Sequence, residues 1–209
     1  MNDAVRLGRL VVVSGIDGAG KTTQLHELAS WLQGQGIKVQ CLLNQSMLPV
    51  RRSLDAIAQE DGFSDHLDML GADTIRLISA CGKLSALAPV QENLKVPGMV
   101  TLVDRYTYCQ YAAVRLQKAD NESFLRRLNR ALPTPDITLF LDVAPEIAQE
   151  RIRQRGIDDE TLEFLTDYRA AYRSLSEYES FTVIDGNGDL DSVQQQLRTE
   201  VQRVLPMLK

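Results

Sequence analysis

At 209 residues, 44% hydrophobic and 24% charged, the chain is long enough for one globular domain with a covered sheet. It has no apolar run near the ~20 residues a bilayer-spanning helix needs. A formal net charge of −5 argues against bulk attraction to nucleic acid or to an anionic membrane, so a small anionic substrate would have to be met by local basic residues. Three scattered cysteines, Cys41, Cys81 and Cys109, and two distant histidines, His26 and His66, point to neither a disulfide framework nor a zinc site. The opening MNDAVRLGRL has no secretory-signal pattern, and a soluble, cytoplasmic protein is expected.

Arg9 to Ser14 (RLVVVS) reads as a strand buried on both faces, ended by glycine. Leu25, Leu28, Ala29 and Leu32 then recur at helical spacing up to Gly34 and Gly36, before a second strand at Ile37 to Leu43. Pro49 opens a helix to about Gln59, and His66 to Leu94 has the composition of one long or two abutting helices. Met99 to Val103 is a third strand, followed by helical material from Tyr108 to Leu132. After Thr134-Pro135-Asp136 come a strand at Ile137 to Val143 and a helix from Pro145 to about Arg155. Leu162, Leu165, Tyr168, Tyr172 and Leu175 share one helical face; Phe181 to Ile184 is a fifth strand, and Leu190, Val193, Leu197, Val201 and Val204 line a last amphipathic helix. Strands alternating with helices predict an α/β domain, a parallel sheet flanked by helices whose ligands bind at the carboxyl ends of the strands. The polar stretch from Gly156 to Glu160 is a candidate lid.

Gly15-Ile16-Asp17-Gly18-Ala19-Gly20-Lys21-Thr22 satisfies G-x-x-x-x-G-K-[ST] between a buried strand and a helix. Such a loop turns backbone N–H groups inward around an anion at a helix N-terminus. Lys21 can then reach the β- and γ-phosphates of ATP, and Thr22 can ligate Mg²⁺. The paired D-x-x-G and N-K-x-D motifs of a GTPase do not occur together, since the chain has no N-K-x-D. After the third strand stands Asp104-Arg105-Tyr106, in which Asp104 is placed to hold Mg²⁺ through water and Arg105 to grip a second anion.

These motifs, with P-D-I-T-L-F-L-D-V-A-P-E from Pro135 to Glu146, E-R-I-R-Q-R-G from Glu150 to Gly156 and F-T-V-I-D-G from Phe181 to Gly186, fall in the order seen in the thymidylate kinase family, which the chain resembles over nearly its whole length. The resemblance implies a three-layer P-loop kinase fold on a five-stranded parallel sheet, with a short lid near residues 151–160. It implies transfer of the ATP γ-phosphate to a deoxynucleoside monophosphate, dTMP above all, with ATP and Mg²⁺ as cofactors and a homodimer as the common assembly. Gly15 to Thr23 and Arg151 would contact the nucleotide. Asp17 would approach the acceptor sugar and the reacting phosphates, Arg105 and Arg52 would bind the acceptor phosphate, and Leu70, Gln110 and Tyr172 would lie at its base and sugar. Gly18, where some members carry arginine, resembles members whose catalytic arginine comes from the lid; Arg151, Arg153 and Arg155 are the candidates. The turn from Asp185 to Gly188 would lie near adenine.

The chain departs from the family pattern where an E-P-G-G stretch is replaced by Asn44-Gln45-Ser46-Met47-Leu48-Pro49, and where Ala72-Asp73-Thr74 stands for A-D-R, with Arg76 as a substitute. Two rivals therefore stay open: a nucleoside or small-alcohol kinase, for which Asn44-Gln45-Ser46 supplies no carboxylate base, and a nucleotide-binding paralogue without turnover.

Overall fold

The structure, a computed structural model, describes residues 6–43, 48–156 and 159–205. The run RLVVVS forms β1 (Arg9–Ser14), with Leu10 to Val13 wholly buried. A strand apolar on both faces belongs in the middle of a sheet covered on both sides. β1 accordingly lies between β3 (Met99–Asp104) and β4 (Ile137–Asp142), with β2 (Lys38–Leu42) beyond β3 and β5 (Thr182–Asp185) beyond β4. Among the described residues this is a five-stranded sheet of order β2-β3-β1-β4-β5, parallel throughout.

The helices are α1 (Lys21–Gly34), α2 (Leu48–Glu60), α3 (His66–Leu87), α4 (Pro89–Asn93), α5 (Tyr108–Leu116), α6 (Glu122–Asn129), α7 (Pro145–Arg155), α8 (Leu162–Arg173) and α9 (Leu190–Val204). α1 and α9 pack on each other and on the sheet, while α5 packs against α8, α3 and α6, the flanked-sheet arrangement that alternating strands and helices predict. The expected 66–94 helical region is broken at Gly71 (φ 75, ψ 155) and ends in the separate α4. The 108–132 region divides where Lys118 takes φ 53, a left-handed value that stops α5.

Two residues expected on buried faces are exposed. Leu162 and Leu190 are each the first residue of their helix, immediately after the caps Thr161 and Asp189, and project past the core their helices cover. Leu165, Tyr168, Tyr172 and Leu175, and likewise Val193, Leu197 and Val201, are buried as their spacing requires.

Two aspartates of the Pro135–Glu146 motif pin the middle of the fold. Asp136 accepts from the Leu10 N–H at 2.7 Å and from Arg6 at 2.9 Å, fastening the start of β4 to β1. Asp142, at the end of β4, takes a two-pronged contact from Arg169 (2.7 and 2.8 Å) and a third bond from Arg173 (2.7 Å), tying α8 to the sheet.

Candidate functional site

Between β1 and α1 the chain turns through Gly15 (φ 144), Gly18 (φ 76) and Gly20 (φ 85). A side chain at Gly18 would run into the Ala148 carbonyl of α7, so this loop and α7 touch backbone to backbone. Gly20 caps α1 without any side-chain bond to the first helical amides, leaving an N-terminal anion seat facing the cleft. Lys21 is 5% exposed and donates to the Ile16 carbonyl at 2.6 Å. Burial, with Arg105 nearby, pulls its ammonium down to about 8, against the opposing pull of Asp17 and Asp104.

The register pairs Val13 of β1 with Asp104 of β3, which brings the end of β3 alongside the glycine loop. Thr22 Oγ1 donates to Asp104 Oδ2 at 3.2 Å, while Asp104 Oδ1 is buried with no protein partner. An orphaned carboxylate oxygen beside a hydroxyl and a phosphate seat fits a Mg²⁺ held by one or two protein oxygens, waters and phosphates. Among the described residues no cluster of three or more His, Cys, Asp or Glu offers a rival metal site.

Arg105 (φ 73) and Tyr106 (φ 26) both have positive φ, sparse territory for bulky residues. The Arg105 N–H bonds to the Val13 carbonyl at 2.9 Å, and its guanidinium forms an ion pair with Asp17. Burial alone would lower the Arg105 guanidinium and raise the Asp17 carboxyl. Their mutual attraction wins at both: Arg105 is raised, and Asp17, also near Lys21, is lowered.

α7 and the start of α9 complete an open cleft of about 440 Å³, whose walls include Thr23, Gln24, Gln154, Arg155, Leu190 and Val193. Arg151 also lines it, but its Nη1 and Nη2 donate to the Gly186 and Gly188 carbonyls at 3.0 and 3.1 Å, so it braces the turn after β5. Arg155 lies on the cleft wall and its charge helps lower Asp17. Arg153 is exposed and lines no part of the cleft. Of the expected lid, Ile157 and Asp158 lie outside the described residues; on either side, Gln149 of α7 donates to the Glu160 carbonyl at 3.0 Å.

Residues 13–197 match the protein family described as thymidylate kinase. The chain belongs to the thymidylate kinase family. Similar proteins include the "Probable thymidylate kinase" of Archaeoglobus fulgidus, 30% identical over 96% of this chain and 98% of its own. That of Pyrobaculum aerophilum is 29% identical (93% and 97% covered), and the "Thymidylate kinase" of Bordetella petrii 27% (96% and 98%).

On the side where this family's acceptor is expected, several positions differ from expectation. Arg52 is exposed, whereas Arg51 is half-buried with its Nε lacking any protein partner; on α2 it is residue 51, in phase with Leu54, Asp55 and buried Ala58, that turns inward. Arg51 stands close enough to Arg76 to oppose its charge, and Arg76, pulled down first by burial, also senses Tyr168 and Cys109, which neighbour Arg105. Tyr172 is completely buried, its ring 5.2 Å from Phe140 and 5.1 Å from Tyr168 and its hydroxyl accepting from Ser14 Oγ at 3.4 Å, so it belongs to the core near Arg105 and presents no surface to a ligand. Gln110 is buried with its carbonyl oxygen accepting from Asn129 at 3.3 Å, and Leu70 is half-buried beside the Gly71 break, off the cleft wall. The segment Asn44 to Met47, where the family's E-P-G-G is replaced, lies outside the described residues.

Sequence reasoning missed Arg51, Gln24, Gln154 and the Leu190–Val193 wall. The helical phase of α2 is the one signal that could have found Arg51. Nothing local links Gln24 to α9, because their contact spans 166 residues.

Proposed function

We propose that this protein transfers the γ-phosphate of ATP to dTMP, giving ADP and dTDP, with Mg²⁺ as the metal and the whole chain acting as one domain. The observation that carries the reading is a single cleft in which Lys21 and the uncapped start of α1 face the Arg105–Asp17 pair and the partnerless oxygen of Asp104. Membership of the thymidylate kinase family supplies the substrate class.

The acceptor is a phosphate oxygen, anionic at neutral pH, so no general base is required, and catalysis consists of alignment and charge neutralisation. Loop amides and Lys21 hold the donor phosphates. Asp104 and Thr22 would hold the metal, which when bound neutralises charge between the β- and γ-phosphates. Arg105, already fixed by its backbone bond and by Asp17, meets the acceptor phosphate, with Arg51 rather than Arg52 as the second cation. Arg155 is the lid arginine best placed for the transferring group, since it borders the cleft and Arg153 does not. Closure of the 151–160 lid over the cleft keeps water from the phosphoryl group.

The proposal includes a homodimer in the cytoplasm. Ile57, Leu67 and Leu77 on α2 and α3 are exposed apolar side chains that pairing of two copies would cover, and Cys41, Cys81 and Cys109 are all unpaired, as a reducing compartment keeps them.

The test is turnover of ATP and Mg²⁺ with a panel of nucleoside monophosphates and with thymidine, followed by ADP release. dTMP should give the highest kcat/KM and thymidine none. Phosphorylation of thymidine without that of dTMP would instead establish the nucleoside-kinase rival, and ATP binding without turnover of any monophosphate the inactive paralogue.

A further inference from the structure

Arg105 and Tyr106 are consecutive residues whose backbones both turn left-handed (φ 73 and φ 26), a pairing that persists only where surrounding contacts over-determine it. Their side chains part at this turn. Arg105 goes to the cleft, where its guanidinium pairs with Asp17, and Tyr106, 3% exposed, goes into the core with its ring 6.0 Å from that of Tyr108. The bond from the Arg105 N–H to Val13 fixes the near end of the turn; the far end is met by the Tyr106 hydroxyl, which donates to the Pro133 carbonyl at 2.5 Å, 27 residues along the chain. Pro133 is itself a fixed anchor. On one side the Leu132 N–H donates to the Asn129 carbonyl at 3.0 Å; on the other, Arg6 donates to the Thr134 carbonyl at 3.0 Å and the Asp136 N–H to the Leu10 carbonyl at 2.8 Å. Burial, with Tyr108 and Tyr111 nearby, pushes the Tyr106 phenol above its ordinary value, so the hydroxyl keeps its proton and stays a donor.

We propose that Tyr106 is a positioning residue for phosphoryl transfer: its phenol, tied to Pro133, holds the left-handed turn that aims the Arg105 guanidinium at the acceptor phosphate. This role rests on Arg105 being the cation that meets that phosphate. Without the hydroxyl, residue 106 keeps its ring in the core but loses the bond that holds its φ positive, and the turn relaxes toward the common backbone regions. Relaxation there rotates the peptide that joins residue 106 to Arg105, while Lys21, held on the Ile16 carbonyl, stays in place. The transfer depends on alignment, and a misplacement of about 1 Å costs ~10²-fold.

The experiment compares Tyr106→Phe, Arg105→Ala and the double variant in steady-state kinetics with ATP and dTMP both varied, recording the Tm of each, with Tyr108→Phe as the control. Tyr108 is a second buried phenol, hydrogen-bonded to Thr138, that takes no part in holding the turn. Tyr106→Phe should lower kcat/KM for dTMP by about 10–100-fold with the KM for ATP unchanged. The double variant should match Arg105→Ala within about twofold, because a residue that acts through Arg105 has nothing left to act on. Tyr108→Phe, however much it lowers the Tm, should leave both KM values where they are. Tyr106→Phe and Arg105→Ala effects that multiply, a parallel rise in both KM values, or a lowered Tm with wild-type kinetics would make Tyr106 purely structural, overturning the proposal and leaving the kinase reading standing. If Arg105→Ala itself leaves the dependence on dTMP unchanged, or the wild type transfers nothing to dTMP, the reading of the acceptor site falls and the proposal with it.

Discussion

Arg105 sits in a conformation that costs a bulky residue about 1–3 kcal/mol, and the bond from its N–H to Val13 and the ion pair with Asp17 hold it there. The positive φ turns the guanidinium back over the glycine loop, placing a fixed cation beside Lys21 in a buried setting where charge acts more strongly than in water. Arg51 and Arg52 give the sharpest contrast at this scale, since they are consecutive residues with opposite surroundings. Arg51→Ala is expected to raise the KM for the acceptor about tenfold or more, the equivalent of losing a ~1.5–3 kcal/mol charged hydrogen bond, with the KM for ATP unchanged. Arg52→Ala should alter neither by more than about twofold, as for ordinary surface residues. Steady-state kinetics with both substrates varied checks this, and a larger acceptor effect from Arg52→Ala would reverse the assignment.

At the scale of elements, α8 lays the buried Tyr168 and Tyr172 close to Arg105, and the contact of Asp142 with Arg169 and Arg173 sets where α8 lies. Burial by itself would raise the Asp142 carboxyl, but the hydrogen bonds from the two arginines outweigh it and hold it below its ordinary value of 3.8. A carboxylate held low stabilises the fold above its unfolded pKa and loses that contribution as pH falls through the folded value. Asp142→Asn should therefore lower the Tm at pH 7 by about 2–8 °C, from ~1–2 kcal/mol after allowing for solvent screening at half-exposed Arg173. The deficit should shrink below about pH 4. Calorimetry across pH 3–7 measures it, and a deficit that grows on acidification would contradict the linkage. The elements themselves were largely legible, because β1, β3 and β4 are buried on both faces and their apolar runs declare it locally. The glycine loop was legible for the same reason: it is one contiguous stretch whose strand and helix flanks stand beside it in sequence.

On the scale of the whole molecule, legibility ends where distant segments meet. Whether Arg51 or Arg52 faces inward depends on how α2 is rotated against its neighbours. Tyr172 belongs to the core because Phe140 and Ser14 close over it, contacts from β4 and β1 that spacing along α8 cannot reveal. The cleft wall built from α1, α7 and the start of α9 joins Gln24 to Leu190 and Arg151 to Gly188, and neither pair leaves a trace in local pattern. The strand order β2-β3-β1-β4-β5 makes these meetings possible, since it brings the carboxyl ends of β1, β3 and β4 together at one crevice. The decisive measurement follows the phosphoryl group: the protein is incubated with γ-labelled ATP, Mg²⁺ and dTMP, and the products are separated. Label on the terminal phosphate of dTDP, in step with ADP formed, is the predicted result. Label released as inorganic phosphate, or none transferred while ATP is bound, would contradict an account built on a second, arginine-held phosphate beside the glycine loop.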